Sequence, residues 1–469
     1  MLTLMDKKAD HNCQGYSRRD FLKVGGLGVG GMSLASMLQL KAEAAKAGIP
    51  VKDRAVVLLF LHGGPPHIEL FDPKMTAPSE IRSITGEVKT SIKGVTFGGT
   101  FPKLAKLANK IAVVRSYGSK HSGHTYHKVA SGFNSTKATM GSIYSRVAGI
   151  NNPNTGMPNN VHVKPEAITT GLKLGSNFET SALPGVTDPG SLGPSYRAFD
   201  PSGGGPINEN MKLRLEPKRL EDRKGLLKDL DRLRRAADVS GSLDSADTYQ
   251  QQAFDIITGG VASAFDLSKE DPRVVERYNT KKLFDDKKLQ RWGDMRRTTN
   301  LLGHQMLMAR RLVESGCGFV TVSDCGWDYH ANNNSPKNMA GIYPMGGQVD
   351  HAVSTFIEDC ESRGLSDKIL LVVTGEMGRS PRLDKNGGRG HYGELTSLLM
   401  WGGGLRMGQV IGQSDSQSSK PATTPYDPSH MFGTIMHSMF DIGELRLSQS
   451  VPKDMLDVVT NSKVIPELF

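Results

Sequence analysis

Residues 368–391 read KILLVVTGEMGRSPRLDKNGGRGH, and this stretch decides the fold. The apolar run 369–373 is rich in β-branched side chains, which is typical of a short strand buried on both faces. The run gives way to Glu376 and then to a loop rich in Gly and Arg that leads to His391. Open α/β sheets bind ligands at the carboxyl ends of their strands. Glu376 is therefore either a functional carboxylate or an ordinary solvated residue, and the stretch alone does not decide between them.

Two other stretches repeat this change from apolar strand to polar loop. Residues 55–61 (AVVLLFL) lead to a loop that carries acids and histidines, and residues 318–323 (GFVTVS) lead to Asp328 and His330. Predicted strands alternate with predicted helices, which indicates an α/β fold whose largely parallel sheet has helices on both faces. Because the carboxyl ends of parallel strands share one edge of a sheet, we expect the three loops to converge there.

The remaining elements follow from hydrophobic spacing. Helices are predicted at 101–109, 254–265, 298–314, 348–363 and 428–440, the last capped by Ser429, and strands at 111–114 and 397–401. The region 149–205 is rich in Asn, Gly, Pro and Ser and is predicted to be irregular. The segment 209–238 is densely charged, with leucines at helical spacing. We therefore expect one domain over residues 50–469 with a charged helical insertion at about 205–300.

The composition is that of a globular protein with a basic bias. Of 469 residues, 37% are hydrophobic and 23% are charged, and the formal net charge is +10. Much of the excess positive charge falls in residues 212–235 and indicates a local basic surface that would favour an anionic substrate. No RNA- or DNA-binding motif accompanies this surface, so nucleic acid is not a predicted partner.

The N-terminus predicts export. Residues 17–23 (SRRDFLK) precede a glycine-diluted apolar run that ends near residue 40, and the small-residue site Ala42-Glu43-Ala44 follows. This pattern is typical of a twin-arginine signal peptide, here residues 1–44, and it predicts a periplasmic or extracellular location. The apolar run is short and poor for a permanent anchor. Contact with a membrane is expected only through this segment, if it is not cleaved.

Three cysteines remain beyond the predicted signal, namely Cys317, Cys325 and Cys360. Either Cys317 and Cys325 form one disulfide and Cys360 is a free thiol, or all three are small buried residues. Their spacing does not match a metal-binding CxxC pattern, and the buried arrangement is the preferred prediction.

The polar residues at the strand ends suit a divalent metal such as zinc or manganese. The candidate ligands combine carboxylates and imidazoles, with Glu69 as the competitor of Asp72 in the first loop; they are Asp72, Asp328, His330, Glu376 and His391. One or two such ions could activate a nucleophile and neutralise the charge of a phosphate or sulfate ester. Each histidine alone is more often a satisfied loop or core residue, so the prediction depends on the three loops meeting.

A candidate nucleophile follows the strand predicted at 111–114. Residues 115–127 (RSYGSKHSGHTYH) place His121, His124 and His127 at intervals of three, and Ser122 and Thr125 lie between them. A hydroxyl here would gain reactivity from a helix N-terminus and a metal, although Ser and Thr are also common helix caps.

Two arginines of the loop 376–391 are candidates for binding an anion. Arg379 and Arg389 either clamp an anionic group of the substrate or are solvated loop residues.

Three motifs resemble one bacterial family. The chain looks like a member of the DUF1501 family in its twin-arginine start and in these motifs. They are HGGPPHIELFDPK at 62–74, GWDYHANN at 326–333, and the pair GEMGRSP and GGRGHYG within 375–393. The resemblance spans nearly the whole chain after the signal. That family is grouped with the alkaline phosphatase/sulfatase superfamily, so the resemblance implies an alkaline-phosphatase-like fold.

The wider superfamily implies residue roles. Residues 101–132 are similar to the sulfatase run through the nucleophile, which places Ser122 at the nucleophile position, within a residue. Residues 349–378 look like the elements that lead into the TADHG metal motif, with Glu376 at its Asp and Met377 at its ligand His. Asp328 and His330 then resemble the pair that binds the other metal, and His391 resembles the last histidine of the superfamily pattern.

These roles imply a function. The expected activity is that of an exported, metal-dependent hydrolase of a phosphate or sulfate ester, such as a sulfated or phosphorylated glycan, with His124 or Arg389 holding the anion. Formylglycine chemistry is not expected, because no Cys-x-Pro-x-Arg follows Ser122. Met377 supports an alternative: a non-catalytic exported protein that keeps the fold and binds a glycan or an envelope partner.

Overall fold

A computed structural model describes residues 51–203, 261–449 and 451–469. The predicted signal peptide (1–44) and the charged segment 209–238 lie outside the described residues. The strands are β1 Ala55–His62, β2 Glu87–Lys89, β3 Thr96–Gly98, β4 Ala112–Val114, β5 Asn160–Val163, β6 Phe319–Cys325, β7 Ile369–Gly375, β8 Gly378–Arg379, β9 His391–Tyr392, β10 Leu398–Gly402 and β11 Gln409–Ile411.

The helices cover the sheet and the loops around it. They are α1 His67–Leu70, α2 Pro102–Lys106, α3 Tyr126–Ala130, α4 Met140–Ala148, α5 Pro165–Ile168, α6 Phe178–Ala182, α7 Pro272–Arg277, α8 Lys287–Gln290, α9 Leu302–Glu314, α10 Ile342–Ser362, α11 Pro428–Met439, α12 Ile442–Leu447 and α13 Lys453–Thr460. Within the described half of the predicted insertion, 261–300, helical structure consists of α7, α8 and short 3₁₀ turns.

The central sheet is largely parallel, as predicted. Among the described strands, seven form one sheet in the order β11-β4-β10-β7-β1-β6-β5. Strand β10 alone runs antiparallel to its neighbours β4 and β7, and the other pairs are parallel. The three strands whose loops carry the candidate ligands, β7, β1 and β6, are adjacent at the centre. The α/β prediction is therefore confirmed.

Helices pack on both faces of this sheet. The side chains of Val57, Leu59 and Leu61 belong to one core cluster, which α9 and α10 complete. The alternate residues Val56, Leu58 and Phe60 belong to a second cluster on the opposite face, completed by α4, α11 and α13. Such alternation is the period of a strand, and burial on both faces explains the uninterrupted apolar sequence.

Some predicted elements differ from the structure. The region 149–205 contains the buried strand β5 at the edge of the sheet, so its prediction as wholly irregular is wrong. Helix α11 is capped by Asp427, whose carboxylate accepts from the backbone N–H of Ser429 at 2.9 Å, so Ser429 is not the cap. Residues 261–265 of the helix predicted at 254–265 form a 3₁₀ turn.

The three cysteines among the described residues are unpaired. Cys317, Cys325 and Cys360 are all free and buried, which confirms the preferred prediction and excludes the disulfide alternative. Among the described helices, none combines the length and apolar character that crossing a membrane requires.

Candidate metal centre

The ends of β1, β6 and β7 are level with one another. Leu61 pairs with Gly375 of β7, and His62 pairs with Cys325 of β6, so the chain leaves all three strands at one edge. The backbone N–H of Trp327 donates to His62 O at 2.9 Å and ties two of the exits together. The expected convergence of the three loops is therefore present in the structure.

A glycine allows this close approach. Gly63 has a φ of +117°, and a Cβ atom there would lie 2.5 Å from the backbone nitrogen of Asp328. Only glycine adopts such a conformation without strain and leaves that space open. The Gly-Gly-Pro-Pro sequence after β1 thus brings the first exit against the residue that carries Asp328.

Glu376 lies at the end of β7 and is wholly buried. Its two carboxylate oxygens accept from the backbone N–H of Gly63, at 3.0 and 3.2 Å. Its Oε1 also contacts Nδ1 of His124 at 2.9 Å. Glu376 thus contacts Nδ1 of His124. This is the kind of contact by which an outer partner orients a metal-binding imidazole.

His391 reaches the centre from a small hairpin. Strands β8 and β9 pair antiparallel, with Arg379 opposite His391. Opposite residues of an antiparallel pair share one face of the ribbon. The hairpin therefore directs both side chains toward the exit of β6.

Asp328 is the meeting point of three histidines. His330 Nε2 lies 3.1 Å and His391 Nε2 lies 3.5 Å from Asp328 Oδ1, and His124 Nε2 lies 3.6 Å from Oδ2. The two nitrogens His330 Nε2 and His391 Nε2 are 2.9 Å apart. One ligand atom from each of His124, Asp328 and His391 fits within a 4.8 Å span.

The hydrogen bonds of two histidines orient their rings. His391 Nδ1 lies 3.2 Å from the carbonyl oxygen of Ser122, which can only accept, so Nδ1 carries the proton. His124 Nδ1 donates in the same way to the Glu376 carboxylate. Each ring therefore turns its Nε2 toward Asp328. In metal sites, an outer partner on one ring nitrogen fixes the orientation of the other in the same way.

This donor set fits a divalent cation. Imidazole nitrogens with a carboxylate oxygen are the ligands of zinc and related transition metals. The side chains of His124, His330 and His391 are 18%, 30% and 28% exposed, whereas that of Asp328 is 5% exposed. The centre therefore has a buried carboxylate and histidines that a small molecule can reach from solvent.

The charges at the centre are strongly coupled. Burial lowers the pKa of His124, but its hydrogen bonds to Asp328 and Glu376 and their charges outweigh burial and raise it to about 9. Burial alone would raise the pKa of Asp328, but the Arg379 charge and the three histidines hold it well below its usual range. His124 is thus positively charged at neutral pH, with a proton on each ring nitrogen. A metal that binds Nε2 displaces the proton on that nitrogen.

Arg379 is not available to a substrate. Its guanidinium is wholly buried, and it donates to Asp328 Oδ1 and to the carbonyl oxygens of Gly63 and Gly64. A further bond, 3.1 Å long, joins its Nη1 to the carbonyl oxygen of Arg389. The prediction that Arg379 clamps an anionic substrate group is wrong, because its N–H groups are directed at the protein.

Arg389 is held in the same manner, away from the histidines. It is wholly buried, and its Nε and Nη2 lie 3.2 and 3.0 Å from Glu69 Oε1. The carbonyl oxygens of Ile81, Arg82, Ser380 and Pro381 accept its other N–H groups. The described contacts of Arg389 do not include the histidines, and its role in steadying an anion stays a prediction.

The first loop supplies no carboxylate to the cluster. Asp72 is buried and accepts from Ser414, and its oxygens lie 3.4 Å from Lys74 Nζ and 3.6 Å from Arg115 Nη1. Its competitor Glu69 is bound to Arg389 and to Ser83. Within the described part of the chain both candidates are engaged by other side chains, so the structure does not bring Asp72 to the cluster, and its role as a ligand stays a prediction.

Ser122 lies at the mouth of the centre. It is exposed, and its carbonyl oxygen binds His391. Thr125 stands at the N-cap position of α3, but no described backbone N–H bonds to its side chain there, so the helix-cap interpretation of Thr125 is wrong. Of the three histidines at intervals of three, His124 joins the cluster.

A family model identifies the chain. The model described as "Protein of unknown function (DUF1501)" matches residues 53–469. The chain belongs to the DUF1501 family. A search of curated proteins found no match to it.

Solved structures match this DUF1501 protein remotely. They include the PsFucS1 sulfatase from Pseudoalteromonas sp. (11% identity, 82% of this chain, 68% of that one, TM-score 0.33). A second is the soluble domain of lipooligosaccharide phosphoethanolamine transferase A from Neisseria meningitidis (12% identity, 87% of this chain, 93% of that one, TM-score 0.35). A third is alkaline phosphatase from the Antarctic bacterium TAB5 (12% identity, 82% of this chain, 97% of that one, TM-score 0.32). At these TM-scores the likeness carries no argument about the chemistry of the DUF1501 protein.

Two residues beside the centre, Phe178 and Asp294, were not predicted from the sequence. Phe178 stacks on the His124 ring with centroids 4.0 Å apart, and Asn177 before it caps α6 in a capping box with Thr180. The Asn-x-x-Thr spacing was the signal that could have located this helix. Asp294 is half-buried, and burial together with the charge of Asp328 raises its pKa.

Proposed function

We propose that this DUF1501 protein is an exported, metal-dependent hydrolase of a phosphate or sulfate ester. One observation carries the proposal: His124, His330 and His391 surround Asp328 at the carboxyl ends of the central strands. Side chains at this edge of an open α/β sheet are well placed to act on a ligand. The partial exposure of the histidines supports access by a substrate.

In this proposal His124, Asp328 and His391 hold zinc or manganese, with His330 as a further ligand. Such an ion, when bound, would neutralise the charge of the ester and polarise it. Glu376 fixes the ring of His124 through Nδ1, and the Ser122 carbonyl fixes that of His391. Glu376 therefore acts as a positioning residue, a change from its expected role as a ligand.

The proposed nucleophile is the Ser122 hydroxyl, with Thr125 as the alternative. Ser122 is exposed and adjoins the cluster through the contact of its own carbonyl with His391. The proposed substrate is an anionic ester, such as one carried by a sulfated or phosphorylated glycan. Residues 1–44 would direct the protein through the twin-arginine route to the periplasm or the exterior.

Metal analysis tests the centre. Purified wild-type protein should carry a divalent ion in stoichiometric amount after loading with zinc or manganese. His391→Ala should lose it, and Glu376→Ala should bind it about 10- to 100-fold more weakly, as is usual for outer partners of metal ligands. Stoichiometric metal of unchanged affinity in both variants would contradict the assignment.

Turnover tests the reaction. Wild-type protein should hydrolyse at least one member of a panel of aryl phosphate, phosphodiester and aryl sulfate substrates. Ser122→Ala should abolish that turnover while keeping the metal, and Thr125→Ala is its matched control. The reverse result would transfer the nucleophile to Thr125. A metal-loaded protein that turns over no substrate and binds polysaccharide saturably would favour the non-catalytic alternative.

A further inference from the structure

Arg379 supplies a fixed positive charge to the metal centre. Among the described residues, Arg379 is the one arginine that contacts Asp328. The side chains of both residues are almost fully buried. Its other N–H groups donate to the carbonyl oxygens of Gly63, Gly64, Trp327 and Arg389. Backbone groups from the exits of β1 and β6 thus hold the guanidinium in place, and a substrate does not compete for it.

The guanidinium shares Asp328 Oδ1 with His330 Nε2 and His391 Nε2, which lie 3.1 and 3.5 Å from that oxygen. The register of the β8–β9 hairpin sets Arg379 opposite His391, and both side chains reach Asp328. His124 approaches the other oxygen of Asp328, at 3.6 Å. Asp328 therefore already has one permanent cation at Oδ1, and Oδ2 beside His124 has none among the described residues.

The space beside Arg379 is filled with apolar and backbone atoms. Met377 is wholly buried next to it. A Cβ atom added to Gly64 would lie 3.0 Å from Met377 Cγ and 3.1 Å from Arg379 Nε, which shows how closely the three residues pack. A methionine thioether is not among the usual protein ligands of zinc. The described side chains packed at Gly64 beside the guanidinium thus include no carboxylate or imidazole donor.

We infer that the centre binds a single divalent ion and that Arg379 serves as its permanent second cation. The inference rests on the proposed function and adds the number of ions and the role of Arg379. The carboxylates in contact with the histidines are Asp328 and Glu376. Arg379 and one divalent ion already exceed their charge, so a second ion would add two further uncompensated positive charges beside Asp328.

The number of bound ions tests the inference directly. Isothermal titration of the metal-free, full-length protein with Zn²⁺, and elemental analysis after desalting, should both give one ion per chain. Two ions per chain would overturn the inference and leave the proposed function standing. No bound ion would overturn the proposed function, and the inference with it.

Replacing Arg379 tests its role separately from activity. Arg379→Met removes the fixed charge beside Asp328, so the ion should bind at least about tenfold more tightly, or a second ion should enter. Arg389→Met removes the other wholly buried arginine of the same loop, whose partner is Glu69, and should change the affinity less than about threefold. An equal effect of the two substitutions, or none for Arg379→Met, would overturn the role of Arg379.

A conservative variant covers the case in which Arg379→Met does not fold. Arg379→Lys keeps the charge and should bind one ion with wild-type affinity within about threefold, provided that circular dichroism shows native structure. Tighter binding or two ions in Arg379→Lys would show that the shape of the guanidinium, and not its charge, limits the site. That result would also overturn the inference.

Discussion

The loop after β1 and the loops after β6 and β7 leave the sheet at the same edge and carry the same kinds of residue, yet their carboxylates have different partners. Glu69 and Asp72 of the first loop contact arginine and lysine. Asp328 and Glu376 of the other two contact histidine, and Asp328 contacts Arg379 as well. The position of a carboxylate at the end of a strand is therefore not enough to make it a metal ligand.

The difference lies in what each partner can release. A guanidinium or an ammonium group stays charged, so Glu69 and Asp72 are fixed in ion pairs that hold the loops together. An imidazole can lose its proton and bind a metal through the nitrogen it frees. The histidines beside Asp328 therefore offer ligand atoms to an incoming ion, whereas the cations beside Glu69 and Asp72 do not.

Asp324 shows a third arrangement, within β6 itself. It is wholly shielded and accepts from Trp327 Nε1 at 2.8 Å and from Gln348 Nε2 at 3.3 Å, both uncharged donors. Burial raises the pKa of Asp324 to about 7, and the bond from Trp327 offsets this in part. Asp328, four positions further along the chain, has a pKa that is shifted in the opposite direction.

The largest expected effect comes from breaking the first loop. Glu69→Ala leaves the wholly buried Arg389 without its carboxylate, which should lower the free energy of unfolding by about 3–5 kcal/mol. Urea denaturation followed by circular dichroism measures the change. The double variant Glu69→Ala with Arg389→Met should recover part of the loss, because no unpaired charge remains. A stable Glu69→Ala protein that has lost its metal would place the first loop in the centre.

Breaking the second arrangement should affect metal more than folding. Asp328→Asn removes the carboxylate that three histidines share, so Zn²⁺ should bind at least about a hundredfold more weakly, more than is usual for outer partners. Isothermal titration measures the affinity. The control is Asp324→Asn at the end of the same strand, which should bind the ion as the wild type does. Equal loss in both variants would indicate damage to the strand end rather than to a ligand.

The third arrangement predicts a pH dependence of stability. Because the pKa of Asp324 is about 7 in the folded protein, against 3.8 for a solvent-exposed aspartate, the folded state holds the proton more tightly. Stability from this group should therefore fall as pH rises between about 4 and 7, and the loss from pH 5 to pH 8 should be on the order of 2 kcal/mol. Urea denaturation at the two pH values should show a smaller loss for Asp324→Asn. An equal loss in both proteins would contradict the assignment.

The sequence predicted the central sheet because its strands are uninterrupted apolar runs. Burial on both faces demands such runs, so β1, β6 and β7 stand out from the loops around them. Strand β5 (NVHV) escaped prediction, since it is only four residues long and lies in an Asn- and Gly-rich region. Its place at the edge of the sheet depends on pairing with β6, which is far away in sequence.

The centre was predicted only in part for a related reason. Asp328, His330 and His391 could be inferred, because each follows a strand or a glycine-rich loop. The partners of Asp72 and Arg389 could not, since Arg115 and Glu69 are distant in the chain and nothing local specifies the pairing. From the sequence alone, a carboxylate that contacts histidine cannot be distinguished from one that contacts only arginine or lysine, because the fold determines which partners come together.

The smallest expected effect would sharpen the comparison most, because it concerns a carboxylate expected from the sequence to bind metal. Asp72→Asn keeps the shape of the side chain and removes two ion pairs that are long, at 3.4 and 3.6 Å. The free energy of unfolding should fall by about 1 kcal/mol, with the bond from Ser414 partly retained. Zn²⁺ affinity should change less than about threefold, since the Asp72 charge is already neutralised by Lys74 and Arg115. A tenfold weaker affinity, about 1.4 kcal/mol, would return Asp72 to the ligands and make the first loop part of the centre.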